Sequence, residues 1–110
     1  MTIDENVPLK NLTTLRVGGE AKYFCVAKTL EDIKEASVFS KRSKTPMMIL
    51  GGGSNVLVSD YGFPGLVVKM ALRGTNFNEL LNHVEVDVGA GVEWDDFVKE
   101  AIEENLWGVE

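Results

Sequence analysis

The residues best suited to chemistry in this chain are Gly51-Gly52-Gly53-Ser54-Asn55. Successive glycines leave the main chain bare, so its N–H groups can converge without side-chain obstruction on the oxygens of a phosphate. Ser54 and Asn55 add short side-chain donors at the same rim. The ligand these residues imply is a diphosphate, gripped by hydrogen bonds and needing no lysine. Neither common phosphate motif accounts for the run. No Gly-Lys-Ser/Thr follows it, and it does not open a helix as a G-x-G-x-x-G fingerprint does. Taken alone, the residues leave two readings open: an anion cradle, or a tight connection between two strands.

Other reactive groups have plainer readings. Cys25, the single cysteine, lies in the apolar run Tyr23-Phe24-Cys25-Val26 and is expected to be a small buried thiol. It can form no internal disulfide, which suits a reducing compartment. His83, the only histidine, is expected to be exposed rather than a ligand. Asp95-Asp96 and Glu103-Glu104 fall opposite an apolar stripe, which makes them a solvated helix face rather than metal ligands or an acid–base pair. No catalytic residue and no metal site is assigned.

The elements that must position the glycine run follow from periodicity. Ala21 to Val26 is β-favouring. Thr29 then offers a helix cap with Asp32 three residues on, and Leu30, Ile33, Ala36 and Phe39 form one apolar stripe. The helix should end near Lys41-Arg42-Ser43-Lys44, before Pro46. Met47 to Leu50 is wholly apolar, as expected of a strand covered on both faces. Val56-Leu57-Val58 returns to β character, and a turn from Asp60 to Gly65 leads into a strand at Leu66-Val67-Val68. Val84 to Val88 alternates, with one wet face. Gly89-Ala90-Gly91 breaks that strand, and a second helix begins near Val92 or Glu93 with Trp94, Phe97, Val98, Ala101 and Ile102 on its apolar side.

At 110 residues the chain is one domain, and 45% hydrophobic with 25% charged residues excludes a disordered tail or a fibrous repeat. Eleven basic against 17 acidic residues give a net charge of −6, the wrong sign for a nucleic-acid footprint. No apolar run approaches a membrane span, and Met1 to Pro8 lacks the layout of a secretory signal. A soluble intracellular protein is expected, with no internal repeat and a single α+β unit.

Three segments carry a resemblance. Met48-Ile49-Leu50-Gly51-Gly52-Gly53-Ser54-Asn55-Val56-Leu57-Val58 resembles the pyrophosphate-binding segment of the bacterial UDP-N-acetylenolpyruvoylglucosamine reductase family. Upstream, the stretch from Leu9 to Ala21, with Thr13, Thr14, Arg16, Gly18 and Gly19, is similar to that family's opening pattern. Downstream, Val88-Gly89-Ala90-Gly91-Val92-Glu93-Trp94 resembles its strand-to-helix junction. Leu15 departs from the family's usual aromatic residue, and Leu12 from its usual polar one.

The resemblance implies an α+β fold: one lobe of a vanillyl-alcohol oxidase or p-cresol methylhydroxylase type of FAD-binding domain, a small mixed sheet with two main helices. Residues 1–110 would be its amino-terminal part, with the second FAD lobe and the substrate domain absent. FAD is the implied cofactor. Gly51, Gly52 and Gly53 would supply backbone amides, Ser54 and Asn55 direct diphosphate contacts, and Val56 would lie at the flavin side. Gly89 to Gly91 are secondary candidates for packing against the cofactor.

For the full-length enzyme the resemblance implies NADPH-dependent reduction of UDP-N-acetylglucosamine enolpyruvate to UDP-N-acetylmuramate in the cytoplasm, for peptidoglycan synthesis. The family's catalytic serine, glutamate and arginine have no matching positions here, so the chain alone is expected to be inactive. Exposed apolar surface facing the absent lobe is expected to favour self-association. The alternatives are the FAD-binding lobe of another oxidoreductase of this fold, or a cofactor-free interaction module.

Overall fold

The computed structural model describes all residues from 1 to 110. Its main body is a four-stranded mixed sheet in the order β1 (Asp4–Pro8), β2 (Glu20–Ala27), β4 (Phe63–Met70), β3 (Met47–Leu50). β1 is antiparallel to β2, whereas β2, β4 and β3 run parallel. Helix α1 (Leu30–Ser43) makes the crossover from β2 to β3. A separate hairpin of β5 (Thr75–Glu79) and β6 (Val84–Val88) follows, and then helix α2 (Trp94–Glu103). The α+β fold with a small mixed sheet and two main helices is therefore present. The radius of gyration is 16.5 Å, against about 13 Å expected for a compact chain of this length.

Side-chain alternation on β2 and β4 divides the core into two layers. Phe24 and Val67 face Leu9, Leu50 and Val58, and Ala21 belongs to the same layer, next to a register irregularity in which β4 carries one extra residue. Cys25, Ala27, Leu66 and Val68 face the other way, onto Ala36 with Ile33 and Phe39 of α1. Tyr23 meets Phe39 edge to face, with ring centroids 4.9 Å apart.

The ends of α1 are set locally, as its sequence predicts. Asp32 N donates to Thr29 Oγ1 at 3.1 Å, while Asp32 Oδ2 accepts from the amides of Thr29 (3.2 Å) and Lys28 (2.9 Å). These bonds use donors that the first turn would otherwise leave unpaired. Lys44 closes the helix in a left-handed conformation, φ 53°, two residues before Pro46.

Four expectations need correction or completion. Met47–Leu50 is an edge strand covered on one face only: Leu50 is buried, whereas Ile49 is 49% exposed. Four apolar residues in a row do not by themselves reveal which strand is central, and β4 takes that place. Val56 to Val58 forms no strand, because no neighbouring strand supplies a ladder. β1 and β5 are additional strands, built from polar sequences that hide their alternation. On α2, which begins one residue after Glu93, Phe97 and Ala101 are buried but Trp94 and Ile102 are 61% and 60% exposed, so the apolar stripe is only partly covered.

Two outcomes follow for α1. Thr29→Ala should lower stability by about 1 kcal/mol, read as a shift of the urea midpoint at unchanged slope. The backbone amides of Lys28 and Thr29 hold the Asp32 carboxyl below its ordinary value. That contribution is therefore full above the normal aspartate range and is lost as pH falls through the lowered folded value. Asp32→Asn should flatten the acid limb of a stability–pH curve; an unchanged limb contradicts this.

Candidate functional site

The glycine run begins where two parallel strands end. Leu50 is in register with Lys69, so Gly51 leaves the sheet beside the last residues of β4. Carboxyl ends of parallel strands are the usual ligand edge of an open α/β sheet, since the chain there turns away and exposes main-chain groups.

The three glycines are not equivalent. Gly53 has φ 79°, and a Cβ there would lie 2.2 Å from the Leu12 carbonyl oxygen. Its own carbonyl accepts from Thr14 N at 3.0 Å. Gly53 is thus required by the fold and clasps the loop to residues 12–14. Gly51 and Gly52 are exposed, have no positive φ, and a Cβ at either would meet nothing within 4 Å. The chain would accept a side chain at both positions. Their bareness therefore serves something other than this chain's own packing.

The amides give the second observation. None of the five N–H groups from Gly51 to Asn55 donates to a carbonyl or side chain of the protein, and the stretch that follows, Val56 to Asp60, leaves its amides free as well. The side chains of Ser54 and Asn55 are exposed and likewise unbonded. Five consecutive free donors on a bare backbone fit an anion with several oxygens. Val56 is half-buried against the core layer of Leu50 and Val58. Beside the clasp, Thr13 is buried with its Oγ1 lacking any hydrogen-bond partner.

Two clefts reach the loop. One, of 310 Å³, is lined by Gly51, Gly52, Ser54, Lys69, Arg73 and Trp94, among others. The other, of 480 Å³, is lined by Asn11, Thr13, Thr14, Arg16, Gly52 and Lys69 with Leu12. Lys69, Arg73 and Arg16 bring three cations to these walls against one acidic residue, Glu93. Lys69 Nζ donates to the Gly51 carbonyl. Sequence reasoning missed these cations. Lys69 was detectable only as the one charge interrupting the apolar run of β4, and its neighbourhood depends on the β3–β4 register.

Gly89 and Gly91 have an internal explanation. Their amides donate to Gly74 O (2.8 Å) and Leu72 O (2.7 Å), and a Cβ on either would strike residues 71–73. Close backbone approach accounts for both, although Ala90 and Gly91 also line the smaller cleft. Cys25 is buried, and burial first, then Asp32 and Glu35, push its thiol upward, which makes it unreactive. His83 is exposed, with Nε2 3.9 Å from Glu85 Oε1. Asp95, Asp96, Glu103 and Glu104 are exposed, and no cluster of His, Cys, Asp and Glu is placed to hold a metal. A larger cavity of 510 Å³ lies away from the loop, walled by apolar side chains of β6, α2 and the last residues, such as Val86, Phe97 and Trp107. No helix is long and apolar enough to cross a membrane.

Comparison with known proteins agrees with this geometry. Residues 21–109 match the model of a family described as FAD binding domain. The chain is 41% identical to the UDP-N-acetylenolpyruvoylglucosamine reductase of Thermobifida fusca over 96% of its length, covering 30% of that protein. The corresponding figures are 44%, 96% and 28% for the enzyme of that name from Cutibacterium acnes, and 39%, 99% and 34% for that from Treponema denticola. The chain thus spans about a third of the length of these curated relatives. With the match running through the sheet, the glycine loop and α2, the chain belongs to the family of FAD-binding domains, has FAD as its cofactor, and is similar over nearly all its length to UDP-N-acetylenolpyruvoylglucosamine reductases.

Proposed function

We propose that residues 1–110 are the diphosphate-gripping, amino-terminal part of the FAD-binding domain of a UDP-N-acetylenolpyruvoylglucosamine reductase. The observation that carries this reading is the set of five free amides on a loop whose first two glycines the fold itself does not need. Gly51 and Gly52 let the phosphates approach the main chain, and the amides from Gly51 to Asn55 donate to their oxygens. Ser54 and Asn55 add side-chain donors, and Val56 takes the side toward the flavin. Gly53 keeps the loop in shape from below through its clasp on Leu12 and Thr14.

When bound in the complete enzyme, FAD supplies the hydride transfer that links NADPH to the enolpyruvyl double bond of UDP-N-acetylglucosamine enolpyruvate, yielding UDP-N-acetylmuramate for the cell wall. The names and identities of the relatives support this assignment; a cytoplasmic location belongs to the same proposal. The part played by these residues is binding and orientation. They hold no proton donor for the reaction, so the 110-residue chain should show no substrate-dependent NADPH oxidation.

Glycine substitutions separate the ligand from the fold. Gly52→Val should leave the unfolding midpoint within about 0.5 kcal/mol of the parent and abolish the 450 nm absorbance of bound FAD after gel filtration. Gly53→Ala should cost about 1–2 kcal/mol or more from its left-handed backbone alone, seen in urea titration. Retention of FAD by Gly52→Val at parental affinity contradicts the proposed site.

A further inference from the structure

The two clefts beside the glycine loop have only Gly52 and Lys69 in common. Any ligand that extends from one into the other must cross at that point. Gly52 presents a bare, exposed backbone there, with nothing within 4 Å of where a Cβ would stand. Lys69 presents an ammonium whose contact is a neutral carbonyl, Gly51 O; neither of the ion pairs in the structure includes it. A carbonyl is a weaker partner than a phosphate oxygen for a full positive charge, because the phosphate adds the attraction of an opposite net charge to the hydrogen bond. The lysine is therefore placed where exchange of acceptors is favourable.

We propose that Lys69 is a positioning residue that exchanges the Gly51 carbonyl for a phosphate oxygen at the crossing, and that this makes the site selective for a diphosphate over a monophosphate. The inference rests on the reading of the loop as a diphosphate cradle and adds to it a specific cation and a basis for selectivity. The loop amides donate to both phosphoryl groups, but as neutral donors they leave the second negative charge of a diphosphate unmatched. The second phosphoryl group of a bridging ligand lies over Gly52 and meets the ammonium. Exchange also frees the Gly51 carbonyl to be solvated, which the exposure of Gly51 permits. Arg16 and Arg73 each line one cleft only, so neither can substitute for Lys69 at the crossing.

The test is calorimetric titration of the whole 110-residue chain with FAD, ADP and AMP at low and at moderate salt, for the parent, Lys69→Met and Lys69→Arg. Methionine keeps the aliphatic stem in β4 and removes the charge. Lys69→Met should weaken FAD and ADP by about ten-fold, the scale of one hydrogen bond to a charged group, while AMP changes by less than about two-fold. The loss of ADP affinity on adding salt should be smaller in Lys69→Met than in the parent, since one screened attraction has gone. Lys69→Arg should recover most of the affinity, and the ligand-free melting temperature of Lys69→Met should stay that of the parent. Equal losses for ADP and AMP, or unchanged ADP affinity and salt dependence in Lys69→Met, overturn the role assigned to Lys69 while leaving the glycine-loop site standing. If the parent binds neither FAD nor ADP, the cradle itself is wrong and the inference falls with it.

Discussion

Everything at the ligand edge depends on how the chain disposes of the main-chain donors between Gly51 and Asn55. Buried N–H groups almost always have partners, because an orphan costs about 1–3 kcal/mol. Here five in succession have none within the protein, and the arrangement is tolerable because four of the five residues are exposed and water can reach them. Only Gly53 is buried, and it is locked by its positive φ, its contact with Leu12 and the bond from Thr14. The clasp keeps the loop from collapsing onto its own carbonyls. An anion that replaces water then meets donors already in place, with little ordering left to be done.

Overall charge argues against anion binding and local charge argues for it. The chain carries −6, yet at 0.1 M salt charges more than about 10 Å apart are largely screened. The outcome is set by the groups in the cleft walls, where Arg16, Lys69 and Arg73 outnumber Glu93. Asp95, Asp96, Glu103 and Glu104 of α2 are exposed, and none of them lines either cleft. The buried Thr13 hydroxyl, unpaired beside the clasp, is one more polar group at this edge that the protein leaves unmatched.

How much of this was legible in the sequence depends on whether the determining interaction is local. The capping box of α1 is legible because Thr29 and Asp32 bond each other across three residues. The glycine loop is legible because three bare residues in a row need a reason. The resemblance to a flavoenzyme family was legible in three ordered motifs and agrees with the family match. Non-local facts were hidden. Whether Val56 to Val58 becomes a strand depends on a partner that does not come; instead, Gly18 and Gly19 pack against Val58 to Asp60. β3 reads as a central strand, yet β4 takes the middle of the sheet and leaves Ile49 open. Lys69 reaches the loop only through the pairing of Leu50 with it. The division of labour among the glycines was equally invisible, since Gly53 differs from Gly51 and Gly52 only by its backbone angle and by its contact with a distant residue.

The central claim is that the free amides of the loop are the groups that grip the diphosphate, and residue-resolved amide spectra test it most directly. In a ¹⁵N–¹H correlation titration of the chain with FAD, the account predicts downfield amide-proton shifts for Gly51 to Asn55, with slowed solvent exchange at the exposed members, as water gives way to phosphate oxygens. Saturable FAD binding that moves other amides and leaves those five at their ligand-free positions and exchange rates would contradict it.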